Sequence, residues 1–337
     1  MMRVASLALF VLCGSSALGA QQTLQKVRSA GVLTCGVIAE DAEYNTEDDH
    51  GSRGGFDLDL CKAVAVAALG EKAQTKIITF LDDKSGVDAL VTGKVDLIAT
   101  LSADFTHAAD ARLGESAPVF YDGVGFLALR NNGVARAADL THRKVCFLAE
   151  TTVETALQTW FAKQHLDLLP FPFQEEGEME AAYITKNCAA IAGDLTRLAQ
   201  TRASFESQAP DHILLPEVIA SDPLSLAYRS SDPQWGRIVD WTAQVLFHGE
   251  ALGVTTANID ASIKSTDPGV RHLLGATHAV GTPLGLPEDW AAAVLRSVGN
   301  YREVFERTFG EASTLRLTRG QNRLTSEGGL ILPLPLK

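Results

Sequence analysis

Short apolar runs alternate with stripes of helical period along the chain. Val32-Leu33-Thr34-Cys35-Gly36-Val37 is a continuous apolar run and predicts a buried strand. Gly54-Gly55 then supplies a flexible turn. Asp57 and Asp59 follow in what reads as the first turn of a helix, where carboxylates suit the exposed N–H groups and the positive end of the dipole. Leu60, Val64 and Ala67 recur at helical spacing and face a core. Residues 75–81 predict a second strand. Strand, helix, strand is a βαβ unit, and it implies a parallel sheet.

Several stretches carry a family signature: Cys35-Gly36-Val37, the run from Gly55 to Ala63, and Tyr121-Asp122-Gly123-Val124-Gly125-Phe126. Near the end, Gly299-Asn300-Tyr301 through Phe305-Glu306-Arg307 and Gly328-Gly329-Leu330 continue it. On these residues the chain resembles the periplasmic amino-acid-binding proteins of ABC transporters, solute-binding protein family 3, and most of all the general L-amino-acid receptors. The resemblance spans about residues 23–337. It implies an α/β, two-lobed type II periplasmic binding protein, each lobe a mainly parallel sheet flanked by helices. It also implies capture of a small solute, an ABC membrane permease as partner, and neither a cofactor nor an enzymatic activity.

The pattern fits that plan. A short helix at 86–91, a strand at 94–99 and a loop over 100–116 continue the first lobe, and a strand at 124–129 leaves it. In the second lobe a strand at 144–148 precedes Thr151-Thr152-Val153-Glu154. That run reads as a capping box opening a helix with Leu157, Trp160 and Phe161 on one face. Phe171-Pro172-Phe173 reads as a strand, 178–188 as a helix and 189–192 as the next strand. Residues 223–229 return the chain to the first lobe. Crossings near Phe126 and Leu226 make a two-stranded hinge, with residues 21–127 and 225–337 as lobe I and 128–224 as lobe II. Residues 235–253 form an amphipathic helix. Residues 288–310 read as the longest helix, with Trp290, Val294, Val298, Tyr301, Phe305 and Phe309 as its buried stripe and Gly310 at its end.

Composition narrows the function. A net charge of −12 argues against nucleic acid, which needs a basic face. Residues 1–20 read as a signal peptide: Arg3 is the positive start, residues 4–13 are an apolar stretch too short to cross a bilayer, and Ala17-Leu18-Gly19-Ala20 places cleavage near Gly19 or Ala20. Leu12 is too large to precede a lipoprotein cysteine at Cys13. The expectation is an exported, periplasmic monomer. Cys35, Cys61, Cys146 and Cys188 remain after cleavage, and four cysteines allow three pairings. The predicted elements put Cys35 on the first strand and Cys61 on the helix packed against it, with Cys146 on a strand and Cys188 at a helix end. Cys35–Cys61 and Cys146–Cys188 are therefore expected, each contributing about 3–4 kcal/mol. Plain buried thiols are the alternative. A zinc site is disfavoured because no CxxC spacing occurs.

The resemblance places the ligand at the carboxyl ends of the strands, in the cleft between the lobes. Asp194 matches the family's ammonium-binding aspartate, and a helix N-cap is its structural alternative. Thr151 and Thr152 match hydroxyls that face the ligand. Elsewhere the pattern is broken. The family's Thr-x-Thr-x-x-Arg is Asp104-Phe105-Thr106-His107-Ala108-Ala109 here, so alanine stands for the carboxylate-binding arginine. Its Ser-Gly-Thr-Thr is Ala149-Glu150-Thr151-Thr152. Glu40 and Glu43 replace small residues, or face solvent, while Tyr44 keeps the aromatic. His107 reads as a surface residue.

Two readings stay open. Arg112 takes the missing arginine's place and the ligand is an ordinary α-amino acid. Or Glu40, Glu43, Asp104, Glu150 and Asp194 repel one another in the cleft and favour a cationic solute or a metal ion. A sensor, or an enzyme with Glu150 as general acid, are further alternatives on the same fold. No Gly-x-Ser-x-Gly, His-Glu-x-x-His or phosphate loop supports the enzyme.

Overall fold

The computed structural model describes residues 22–38, 45–47, 53–277 and 280–336. The expected signal peptide, with its cleavage site, lies outside them. Helix α1 (Gln22–Ala30) leads into β1 (Val32–Ile38). A ribbon of β2 (Asn45–Glu47) and β3 (Arg53–Gly55) precedes α2 (Phe56–Leu69), and β4 (Gln74–Phe80) completes the first βαβ unit. β1 and β4 pair in parallel, from Val32 opposite Gln74 to Ile38 opposite Phe80. Helix α3 (Asp83–Val91) and β5 (Leu97–Ser102) follow, with β5 parallel on the other side of β1. The strand expected at 94–99 thus starts three residues later. Lys94 and Val95 instead turn back, both donating to the Ala89 carbonyl. The expected loop at 100–116 contains α4 (Phe105–Ala108) and β6 (Leu113–Glu115).

The ten-residue β7 (Phe120–Leu129) crosses to β8 (Lys144–Leu148), α5 (Thr152–Gln164), β9 (Leu169–Phe173), α6 (Glu176–Ile184), β10 (Ala190–Asp194), α7 (Leu195–Ser204) and β11 (His212–Leu214). Strand β12 (Ala220–Arg229), also ten residues, runs back. It leads to α8 (Pro233–Ala251), α9 (Ile259–Ser262), α10 (Pro268–Leu273), α11 (Trp290–Val298) and α12 (Tyr301–Thr308). The main sheet has the order β4-β1-β5-β12-β7-β10-β8-β9. Each end is a parallel trio, and the centre is antiparallel. The long strands β7 and β12 belong to both halves. They pair with each other over Phe120–Val124 and Ala220–Leu224. Beyond that, β7 continues beside β10 and β11, and β12 beside β5 and β6. This is the two-lobed α/β plan with its two-stranded hinge. Separate apolar cores lie to either side, one around Phe56, Phe120, Trp235 and Phe305, the other around Phe126, Phe147 and Phe161.

Both disulfides form as expected. Cys35–Cys61 ties β1 to α2 across a Cα separation of 6.1 Å. Cys146–Cys188 ties β8 to the segment after α6 across 5.8 Å. Cys188 does not end a helix, because α6 stops at Ile184 and Lys186 takes a left-handed φ of 62°.

The expected helix over 288–310 is two helices, and α8 is the longest among the described residues. Gly299 takes φ 86°, which costs glycine little, and turns the chain. Asn300 then caps α12: its side chain accepts from the Glu303 N–H at 3.0 Å, and the Glu303 carboxylate accepts from the Asn300 N–H at 2.9 Å. The apolar stripe survives the break, since all six of its members are buried. Asn300→Ala is expected to lose about 1–2 kcal/mol in a thermal melt.

The chain after α12 packs across the hinge. Arg319 is buried, pairs with Glu250 at 2.9 Å and lies over the rings of Tyr301 and Phe305. The Asn322 side chain accepts from the Tyr121 N–H at 2.7 Å and donates to the Tyr121 carbonyl at 2.9 Å. It thereby adds one rung to the edge of the hinge strand.

Candidate functional site

The loops at the carboxyl ends of β4, β5 and β10, together with the hinge strands, bring carboxylates into a belt. Asp194 is the last residue of β10 and sits at the N-cap of α7, although its side chain makes no capping bond. Its carboxyl is pushed up to about 6, first by burial and then by the nearby Asp122 and Asp222, with Arg197 acting in the opposite direction. Asp122 and Asp222 face each other in the register of β7 and β12.

The three aspartates are not equivalent. Asp122 is buried and accepts from the Gly123 N–H at 2.7 Å, the Leu195 N–H at 3.1 Å and the Thr196 hydroxyl. Its oxygens are committed to holding the start of α7 against the hinge. Asp222 accepts from the Ser102 hydroxyl at 3.1 Å, and its carboxyl is raised chiefly by burial, with Asp122, Asp104 and Asp83 adding to the shift. Among the described residues no hydrogen bond from a neighbouring side chain commits the Asp194 carboxylate in this way. Its environment disfavours a bare negative charge, so it favours either a proton or an arriving cation.

On the lobe I side, Asp104 caps α4 by accepting from the His107 N–H at 2.9 Å. His107 is not a plain surface residue. Its side chain is only 13% exposed, and its Nδ1 lies 2.9 Å from the Ser102 carbonyl and 3.2 Å from Asp104. Burial raises the carboxyls of Asp83 and Glu115, and the charge of His107 acts against that in both. Carboxylates therefore extend from Asp83 through Asp104 and Asp222 to Asp194, interleaved with one imidazole. Among the described residues no group of three or more His, Cys, Asp or Glu side chains is placed to hold a metal ion.

The other expected site residues divide. Ala109, in the arginine's place, is exposed and caps the C-terminus of α4. Arg112 is not brought to the belt. It forks onto Asp110, with contacts of 2.9 and 2.6 Å, and is 58% exposed. Thr106 and Glu150 are exposed, and Glu150 takes a left-handed φ of 62° in the turn after β8. Thr151 stands at the N-cap of α5, but the expected capping box is absent. Its hydroxyl donates back to the Leu148 carbonyl at 2.8 Å, and Glu154 accepts from the Glu150 N–H at 3.3 Å instead. The first turn of α5, where Thr152 is exposed, thus lacks a side-chain cap from Thr151. Glu40, Glu43 and Tyr44 lie outside the described residues.

Sequence reasoning missed Asp83, Glu115, Asp122 and Asp222. A signal was present for two of them, because Asp122 and Asp222 flank the two predicted chain crossings and the crossings had to pair.

No family model matches the chain. It is similar to the general L-amino acid-binding periplasmic protein AapJ of Rhizobium johnstonii, 37% identical over 329 residues, which cover 96% of this chain and 95% of that one. It is 32% identical over 334 residues to the glutamate/glutamine/aspartate/asparagine-binding protein BztA of Rhodobacter capsulatus, with 98% of each chain covered. Among solved structures, an ABC transporter periplasmic binding protein from Brucella ovis with glutathione bound aligns with a TM-score of 0.77. That alignment is at 33% identity over 93% of this chain and 98% of that one.

Proposed function

We propose, starting from a chain that belongs to the periplasmic amino-acid-binding proteins of ABC transporters, that it captures an amino acid or a related nitrogenous solute between its lobes and delivers it to an ABC permease. The observation that carries this reading is Asp194, held at a pKa of about 6 beside Asp122 and Asp222 where the strands of the two lobes meet. A ligand ammonium there relieves like-charge repulsion and forms a charge-assisted hydrogen bond with Asp194. The carboxylate end is assigned to the first-turn N–H groups of α5 with Thr151 and Thr152, in place of the absent arginine. Asp104, Thr106 and Glu150 are assigned to the rim, Arg112 is left to Asp110, and Glu40 and Tyr44 stay ligand-binding candidates on the family resemblance alone.

The lobes are taken as residues 21–127 with 225–337, and 128–224. The leader is taken as cleaved near Gly19 or Ala20, and the mature receptor as a monomer that binds neither nucleic acid nor a cofactor and catalyses no reaction. The net charge of −12 supports the absence of nucleic acid.

The test is a thermal-shift panel of L-amino acids, their N-acetyl derivatives, polyamines and glutathione on the mature protein. Glutathione is included because the Brucella ovis relative holds it. At about 100 times its Kd a ligand adds roughly 2.7 kcal/mol, a readable shift. A shift is expected with one or more solutes that carry a free α-ammonium and is expected to vanish on N-acetylation. An equal shift with the N-acetyl form sinks the ammonium role of Asp194. Silence from every α-amino compound sinks the ligand class.

A further inference from the structure

A cavity lies away from the carboxylate belt, where the end of α7 and the end of β7 meet the chain after α12. It is half open to solvent, has a volume of about 470 Å³ and is lined by Arg130, Arg202, Arg316, His212, Glu206 and Thr314 among others, with Arg202 half-buried and Arg130 and Arg316 exposed. Most arginines with charged partners in this protein face carboxylates: Arg112 on Asp110, Arg197 on Glu176, Arg296 on Glu71 and Asp260, Arg307 on Asp59. The three in this cavity do not. Arg130 donates from Nε to the Pro210 carbonyl at 3.2 Å. Arg202 donates to the carbonyls of Leu315 and Arg316. Among the described residues none of the three makes an ion pair, and Glu206, the lining carboxylate, pairs with none of them. Burial lowers the pKa of Arg202, and repulsion from the nearby Arg316 adds to the shift. Three arginines set against one unpaired lining carboxylate make this wall locally basic in a chain of net charge −12, and an anion entering the cavity meets them first.

We propose that this cavity is a second binding site, separate from the interlobe cleft, for a small oxyanion of at least two negative charges such as phosphate. Planar guanidinium forks match the oxygens of such an anion, and the three of them, offset by Glu206, balance its two negative charges. Arg130 and Arg202 come from the crossing half of the chain and Arg316 from the terminal segment packed on the other core. A bound oxyanion therefore staples the terminal segment to α7.

The experiment is calorimetric titration of the full mature chain with inorganic phosphate, against sodium chloride at matched ionic strength, with sulfate as a second dianion. Saturable binding of phosphate and sulfate at low-millimolar levels is expected, with none for chloride. Arg316→Gln is expected to weaken it about tenfold or more while leaving binding of the cleft ligand unchanged, because Arg316 takes no part in the cleft. Arg202→Lys keeps the charge but loses the fork, and is expected to weaken phosphate binding severalfold in a protein that still folds. Equal heats with chloride would mean general screening and overturn the site. So would phosphate binding that survives both substitutions, or no phosphate binding at all. None of these outcomes bears on the cleft ligand, so this site fails separately from the receptor reading.

Discussion

Asp194→Asn is expected to weaken binding of the cleft ligand at least about a hundredfold at pH 7.5 while raising the melting temperature of the ligand-free protein. Both effects come from one cause. In the empty site the carboxyl titrates near 6, above its ordinary value, because burial, Asp122 and Asp222 oppose its charge. Between about pH 4 and 6 the folded chain holds a proton that the unfolded chain has released. Stability therefore falls as pH rises through that window, and the whole cost is present above about 6. Two pKa units correspond to about 3 kcal/mol at most, and solvent at the partly exposed group reduces the realised part to about 1–2 kcal/mol. Asparagine carries no charge and removes that cost.

On the proposed function the ligand reverses the balance. Its ammonium makes the charged carboxylate favourable, and losing one partner of a desolvated charge pair costs about 3–5 kcal/mol, which is a hundredfold or more. The pH dependence follows from the same shift. Below about pH 6 the ligand must displace a proton from Asp194, so affinity rises with pH up to about 6 and is flat above it. The Asn variant loses that slope. Calorimetry at pH 5, 6 and 7.5 with melting curves at each pH reads both arms. Unchanged affinity in Asp194→Asn removes the aspartate from the site. Unchanged stability shows that the neighbouring carboxylates impose no strain.

The architecture was legible because it rests on period and punctuation. Apolar runs at residues 32–37 and 144–148 are strands, the cysteine pairs close, and the crossings near Phe126 and Leu226 are hinge strands. The misread details were ones that local backbone chemistry decides. An unbroken apolar stripe from Trp290 to Phe309 reads as one helix, but Gly299 at positive φ and the Asn300–Glu303 box split it without disturbing the buried face. Thr151 and Glu154 have the spacing of a capping box, yet the Thr151 hydroxyl finds the Leu148 carbonyl instead.

The candidate site was only half legible, for a different reason. Asp194 and Asp104 could be found in loops after strands, whereas Asp122 and Asp222 act only because two distant strands set them opposite each other. Sequence alone does not say which carboxylates will face one another across a register. Arg112 shows the converse. Proximity in sequence to the missing arginine suggested a replacement, but Asp110, two residues away, already holds its guanidinium.

Gly123→Ala is expected to be among the most damaging single-methyl changes in the protein, costing about 3 kcal/mol or more. Gly123 lies opposite Ser221, next to the central Asp122–Asp222 pair of the register that joins the two hinge strands. A methyl group there would overlap the Ala220 carbonyl oxygen and come within 2.6 Å of Val218 Cγ1. The obstructing atom belongs to the backbone of the partner hinge strand, so it moves only if the strands separate. Separation would also disturb the Gly123 N–H bond to Asp122 and with it the anchoring of α7 through Leu195 and Thr196. Overpacking ordinarily costs about 1–3 kcal/mol, and a clash with immobile backbone belongs at the upper end or beyond.

Gly125 in the same motif provides the control. A methyl there meets chiefly the Leu195 side chain, at 2.5 and 3.3 Å, which can rotate away, so Gly125→Ala is expected to cost about 1 kcal/mol. Urea midpoints for the two variants, at equal denaturant slope, make the comparison. A larger cost at Gly123 means that the motif's first glycine is there for the close approach of the hinge strands. Equal costs would mean that the hinge yields to a methyl group, and that the glycine does not set its geometry.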